Sequence, residues 1–111
     1  MRKYQTPQYL NKKLAEEAFE TNDMKTICEA LVAVALHEQD WKWAQDKCLG
    51  FLESESSDIR GLAATCLGHI ARIHRELDKE KVLSALQTHL SDEYISGQVS
   101  DALDDIEMFL K

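Results

Sequence analysis

The sequence predicts an all-α fold, a short α-α solenoid of about three antiparallel helix pairs. The first observation behind this is a repeat. Sliding the sequence by 36 positions places Ile59 on Ile95, Gly61 on Gly97, Ala63 on Val99, Cys66 on Ala102, Leu67 on Leu103 and Ile70 on Ile106. Sliding it the other way places Ala63 on Ile27, Cys66 on Ala30, Leu67 on Leu31 and Ile70 on Val34. A fixed period of this length marks stacked helical repeats. The second observation is the scarcity of chain breakers, one Pro and four Gly in 111 residues, which leaves little room for long loops or many tight turns. The third is a helical apolar period in every long segment.

Six helices follow, in order. Thr6 as N-cap and Pro7 at the first helical position predict a helix from about Pro7 to Glu20, with Tyr9, Leu10, Leu14, Ala15 and Ala18 facing inward. Thr21-Asn22-Asp23 turns and caps the second, to His37, whose Ile27, Ala30, Leu31, Val34 and Ala35 make it apolar on most of its surface. A helix of that kind is buried from more than one side. Asp40 caps the third, from about Trp41 to Glu53, with Ala44, Cys48, Phe51 and Leu52 inward. A polar linker over 53–57 leads to the longest helix, Asp58 to Glu76. Asp78 caps the fifth, from Lys79 to Leu90, with Val82, Leu83, Leu86 and Leu90 inward. Ser91 or Asp92 is expected to cap the sixth, which runs almost to Lys111 on a stripe of Ile95, Val99, Ala102, Leu103, Ile106 and Leu110. Gly61 and Gly97 fall inside helices, where Gly costs roughly 1 kcal/mol against Ala, so close helix approach is expected at both. The expected organisation is one domain over 1–111, with pairs at about 7–38, 40–76 and 78–110.

Composition narrows the function. Hydrophobic residues make up 44% of the chain, ordinary for a folded domain. Cys28, Cys48 and Cys66 sit among apolar neighbours with no CxxC pair, as expected of reduced core cysteines in a reducing compartment. No apolar run follows Arg2 and Lys3, and no stretch approaches ~18 apolar residues, so neither a signal peptide nor a membrane span is expected and the expected location is cytoplasmic. The net charge of −7 is uneven: residues 1–37 balance, and residues 91–111 hold six acids against Lys111 alone. Such a field repels nucleic acid and anionic lipid and attracts basic partners.

The segment Asp58, Ile59, Arg60, Ala63, Ala64, Leu67, Gly68 resembles the second helix of a HEAT repeat, whose pattern runs Asp, a spacer position, an aliphatic residue and Arg, then small residues, then Leu-Gly. The resemblance implies a HEAT-like solenoid in which the Asp and Arg bridge adjacent repeats. The match is best in the middle repeat and degenerate in the last, where Tyr94 and Ser96 replace Asp and Arg. More loosely, an acidic chain of this size built from degenerate HEAT-like hairpins looks like the bacterial immunity proteins of contact-dependent growth inhibition and other polymorphic toxin systems. That likeness implies a protein partner, a basic toxin domain such as a nuclease, neutralised by blocking its active site. A HEAT-like scaffold, adaptor or assembly factor is the alternative. HEAT-like DNA-acting enzymes need a basic groove, and this chain has the opposite charge.

No residue pattern calls for catalysis, a cofactor or a metal. His37, His69, His74 and His89 are scattered, with no HExxH and no Cys/His cluster. Cys66 lies mid-stripe, where a buried thiol is inert. Two groups are the candidates for partner binding. Asp101, Asp104, Asp105 and Met108 fall at i, i+3, i+4 and i+7, one surface opposite the apolar stripe of the sixth helix, without bases one turn on. Asp92 and Glu93 are expected at the positive end of that helix's dipole. Trp41 and Trp43 are two apart and cannot share one helix face, so at least one, with Trp41 favoured as the more exposed, is expected at the core edge or in solvent, either as a lid over the junction of the first two repeats or as an aromatic anchor for a partner. The expected chain is a monomer on its own, binding protein rather than nucleic acid or membrane.

Overall fold

The structure, a computed structural model, describes residues 10–110. Among the described residues there are six helices: α1 Lys12–Phe19, α2 Met24–His37, α3 Trp41–Phe51, α4 Ser57–His74, α5 Lys79–Thr88 and α6 Ser96–Phe109. No strand occurs among the described residues. The all-α expectation therefore holds.

Local chemistry starts most of these helices. Asn11 Oδ1 accepts the Leu14 N–H at 2.9 Å, Asp23 accepts that of Thr26 at 3.2 Å, Asp40 that of Trp43 at 3.1 Å and Ser56 Oγ that of Ile59 at 3.3 Å. Each satisfies an N–H that the first turn leaves without an intrahelical acceptor. Two starts differ from expectation. Leu10 and Asn11 are not helical, so the first helix begins at Lys12; Thr6, Pro7 and Tyr9 lie outside the described residues. The sixth helix begins at Ser96 rather than after Ser91 or Asp92. Asp92 closes a turn instead: its Oδ1 accepts the Tyr94 N–H at 3.1 Å and its carbonyl accepts the Ile95 N–H at 3.0 Å. α5 ends at Thr88, which leaves Leu90 outside the helix and 44% exposed, contrary to its expected inward placement. Leu14 is likewise exposed, Ala15 alone being the buried residue of α1.

Each helix packs on its successor within the pairs α1–α2, α3–α4 and α5–α6. α4 is the centre: it packs against α2 on one side, α6 on the other, and α3 behind. One buried cluster runs through all six helices, from Ala15 through Leu31, Cys48, Leu67 and Leu86 to Ile106. Most positions matched by the 36-residue period share a burial state: Ile27, Ala63 and Val99 are buried, as are Ala30, Cys66 and Ala102, and Val34, Ile70 and Ile106. α2, which touches α1, α3 and α4, buries six side chains, as its all-round apolar surface predicts.

Polar contacts join successive pairs. Gln45, fully buried in α3, accepts the Asp78 N–H at 2.7 Å through its Oε1, while its Nε2 donates to Asp46 at 3.2 Å. That bond locks the start of α5 to the middle of α3. Arg60 of α4 donates through Nε to Asp92 at 3.0 Å and through Nη1 to the carbonyls of Ser54 at 2.9 Å and Glu55 at 3.2 Å. Arg75 ends α4 in the left-handed region (φ 57°), and its guanidinium lies 5.2 Å from the centre of the Phe109 ring at the end of α6.

The two helix-interior glycines differ. A Cβ on Gly61 would lie 2.7 Å from the Gln98 amide of α6, so close approach explains that position. A Cβ on Gly97 would meet nothing within 4 Å, which corrects the expectation of a close contact there. Gly68 is the unpredicted counterpart, its missing Cβ giving room to the Asp105 carboxylate.

Candidate functional site

α6 carries the acidic candidates, and its register decides which of them face solvent. Val99, Ala102 and Ile106 anchor the helix on α4 and α5. The opposite side therefore exposes Asp101, Asp104, Glu107 and Met108, the last 60% exposed. Asp105 departs from the expected continuous surface. It is half-buried, folded over Gly68 and close to His69 of α4. No ion pair engages Asp101, Asp104, Asp105 or Glu107 among the described residues.

His69 joins this edge of the α4–α6 contact. Its Nδ1 lies 2.7 Å from the Arg72 guanidinium, which can only donate, so Nδ1 accepts and the ring proton sits on Nε2. Burial and the Arg72 charge hold the imidazole pKa below its usual 6.5, against the opposing pull of Asp105. Tyr94, just before α6, is 74% exposed. Its signal in the sequence is the replacement of the Asp found at the matching position, Asp58.

The tryptophans lie elsewhere. Trp41 and Trp43 open α3, which packs on α2 and α4, not on α6. Both are half-buried against the core. Trp43 is held between two cations, Lys12 and Lys47, each with its Nζ 5.5 Å from the ring centre. Lys12 also bonds Asp40 at 2.6 Å, and this holds the Asp40 carboxyl below the usual carboxylate range. Trp43 thus belongs to the α1–α3 packing, and the fold does not bring the two tryptophans and the α6 carboxylates to one site.

The cysteines gather around α4. Cys48 and Cys66 are fully buried, and a hydrogen bond that the Cys48 thiol donates to Cys66, together with burial, pushes that thiol well above its usual pKa. Cys28 is half-buried rather than core, and burial, followed by the Asp58 charge, raises its thiol as well. Cys28 and Cys48 are thereby held as thiols rather than nucleophilic thiolates. No three His, Cys, Asp or Glu side chains form a metal-binding group among the described residues, and no helix there is long and apolar enough to cross a membrane.

Two grooves complete the surface. One, of about 360 Å³, lies between α1 and α3 over Phe19, Phe51 and Gly50. Its charged side chains are already paired, Lys47 with Glu16 at 2.7 Å and Asp46 with Lys81 at 3.6 Å. The other, of about 330 Å³, lies between α5 and α6. Sequence reasoning missed it because its walls come from two helices whose relative placement no local pattern encodes.

The chain is similar to one in the crystal structure of the CDI complex from Cupriavidus taiwanensis LMG 19424, with a TM-score of 0.87 and 28% sequence identity. The match covers 98% of this chain and 98% of that one. A scan against protein families finds no match, and a search of curated proteins finds none either.

Proposed function

We propose that this chain is a non-enzymatic immunity protein of a contact-dependent inhibition system, which binds a cognate toxin domain in the cytoplasm and neutralises it by covering its active site. The observation that carries the reading is the likeness to a component of a CDI complex over nearly the whole length of both chains. Electrostatics supports it. The exposed Asp101 and Asp104 suit a basic partner such as a nuclease, whose Lys and Arg side chains otherwise bind an anionic substrate. Met108 adds apolar contact one turn from Asp104, and Trp41 and Trp43 form a second, separate candidate surface. In this reading the six helices form three HEAT-like pairs over about 7–38, 40–76 and 78–110.

Affinity capture on the tagged protein in its native host, followed by mass spectrometry, tests the function. A stoichiometric small basic toxin domain is the expected result. Recovery of a large multi-subunit assembly without one overturns the proposal in favour of a scaffold or adaptor. On the captured complex, Asp101→Lys with Asp104→Lys should slow association and weaken its salt dependence, since steering by exposed charge is screened by salt.

A further inference from the structure

We infer that the α5–α6 groove is a receptor for an arginine side chain of a basic protein partner. The inference deepens the function proposed above, since a toxin domain would supply the arginine.

The groove lies on the last helix pair of the described residues. Leu31 on α2 and Leu67 on α4 are fully buried, but Leu103, their match on α6, is only half-buried and lines the groove. The facing helix shows the same. Gln45 of α3 is fully buried and bonded to the start of the next pair through Asp78, while Leu83, the fifth residue of α5 as Gln45 is of α3, is half-buried and also lines the groove. No following pair covers these positions among the described residues.

The lining then selects the occupant. Leu83, Leu103 and the edge of Ile106 form an apolar floor, and Asp104 and Glu107 stand on the α6 rim with Gln87 on the α5 side. Lys79, the base of the lining, points its ammonium to the Leu110 carbonyl at 3.4 Å and pairs with neither carboxylate. An apolar trough under two uncompensated carboxylates fits a side chain with an aliphatic stem and a cationic head. Arginine fits better than lysine, because its planar guanidinium can donate to two acceptors at once and is weakly hydrated. The α1–α3 groove, similar in size, lacks this property because its charges are already paired.

The probe is hexa-arginine, with hexa-lysine and hexa-glutamate as comparisons, titrated into the ¹⁵N-labelled protein by NMR. Hexa-arginine should shift amides around Leu83, Leu103 and Asp104, more tightly than hexa-lysine and with no response to hexa-glutamate. The double variant Asp104→Asn, Glu107→Gln changes two exposed side chains and should weaken that binding about tenfold. Asp58→Asn, an exposed carboxylate on α4, should not. Shifts centred on α2 or α4, equal affinity of the two basic peptides, or insensitivity to the double variant would each overturn the inference. So would concentration-dependent self-association of the wild type that the double variant abolishes, which would make the groove an interface between copies. The two proposals fail separately. A captured toxin whose affinity ignores the double variant sinks the groove and keeps the immunity function. Groove binding of hexa-arginine with no toxin captured does the reverse.

Discussion

Arg60 Nε and Asp92 Oδ2 lie 3.0 Å apart, across 32 residues of sequence, and tie the start of α4 to the turn before α6. Both side chains are largely sheltered, 18% and 19% exposed. The pair explains why Asp92 does not cap α6: its carboxylate is committed to Arg60 and the Tyr94 N–H. Asp92→Asn should cost about 1–2 kcal/mol, because a charge-assisted bond in a sheltered site becomes a neutral one. Arg60→Lys should cost a similar amount, since an ammonium cannot span three acceptors that a guanidinium reaches. Urea unfolding measures both, and two unchanged midpoints would make the clasp energetically idle.

Leu67 sits fully buried on the helix that touches α2, α3 and α6. Leu67→Ala should cost about 2–5 kcal/mol through lost burial and the residual cavity. A loss below 1 kcal/mol would show that the surrounding helices close the space.

Cutting the chain after Ser56 removes α4, against which both α2 and α3 pack. The fragment 1–56 should be unfolded by circular dichroism, since the sides of α2 and α3 that face α4 are left uncovered. A cooperative melt from that fragment would show that the first pair and α3 suffice alone.

Gly50 and Gly97 are helical, exposed and open around the place of a Cβ. Replacing each by Ala should raise stability by about 0.5–1 kcal/mol, through the lower backbone entropy of the unfolded chain. Gly61→Ala should yield less, because the Gln98 amide must first move aside. Thermal melts of the three variants test the ranking.

His69 should make stability fall in mild acid. Its folded pKa lies below 6.5, so under acidic conditions the unfolded chain binds the proton more readily than the folded one. The contribution is complete above pH 6.5 and is lost as pH falls from there through the lowered folded value. Arg72 opposes protonation and Asp105 favours it, so neither forces the charged form. Unfolding at pH 7.5, 6.5 and 5.5 should show the wild type losing more stability than His69→Gln. Parallel curves would mean that the imidazole titrates as freely in the fold as outside it.

The all-helical class, the order of six helices and most of the core were legible in the sequence, because capping and a 3.6-residue apolar period are local properties. Asp23, Asp40 and Ser56 cap where polar linkers meet apolar stripes, and Ile59, Ala63, Cys66 and Ile70 bury as a stripe must. Two of the expectations that failed did so where a distant residue intervened. Asp92 looked like a cap until Arg60, 32 positions away, took its carboxylate. Asp105 looked solvated until Gly68 of the neighbouring helix made room for it. Leu103 and Leu67 are the same residue at the same phase of the repeat, yet only the stacking of helices decides that one is sealed and the other lines a groove. Helical periodicity determines which side of a helix is apolar; only the packed neighbours determine how much of that side is covered, and the candidate binding groove lies where the described helices leave it open.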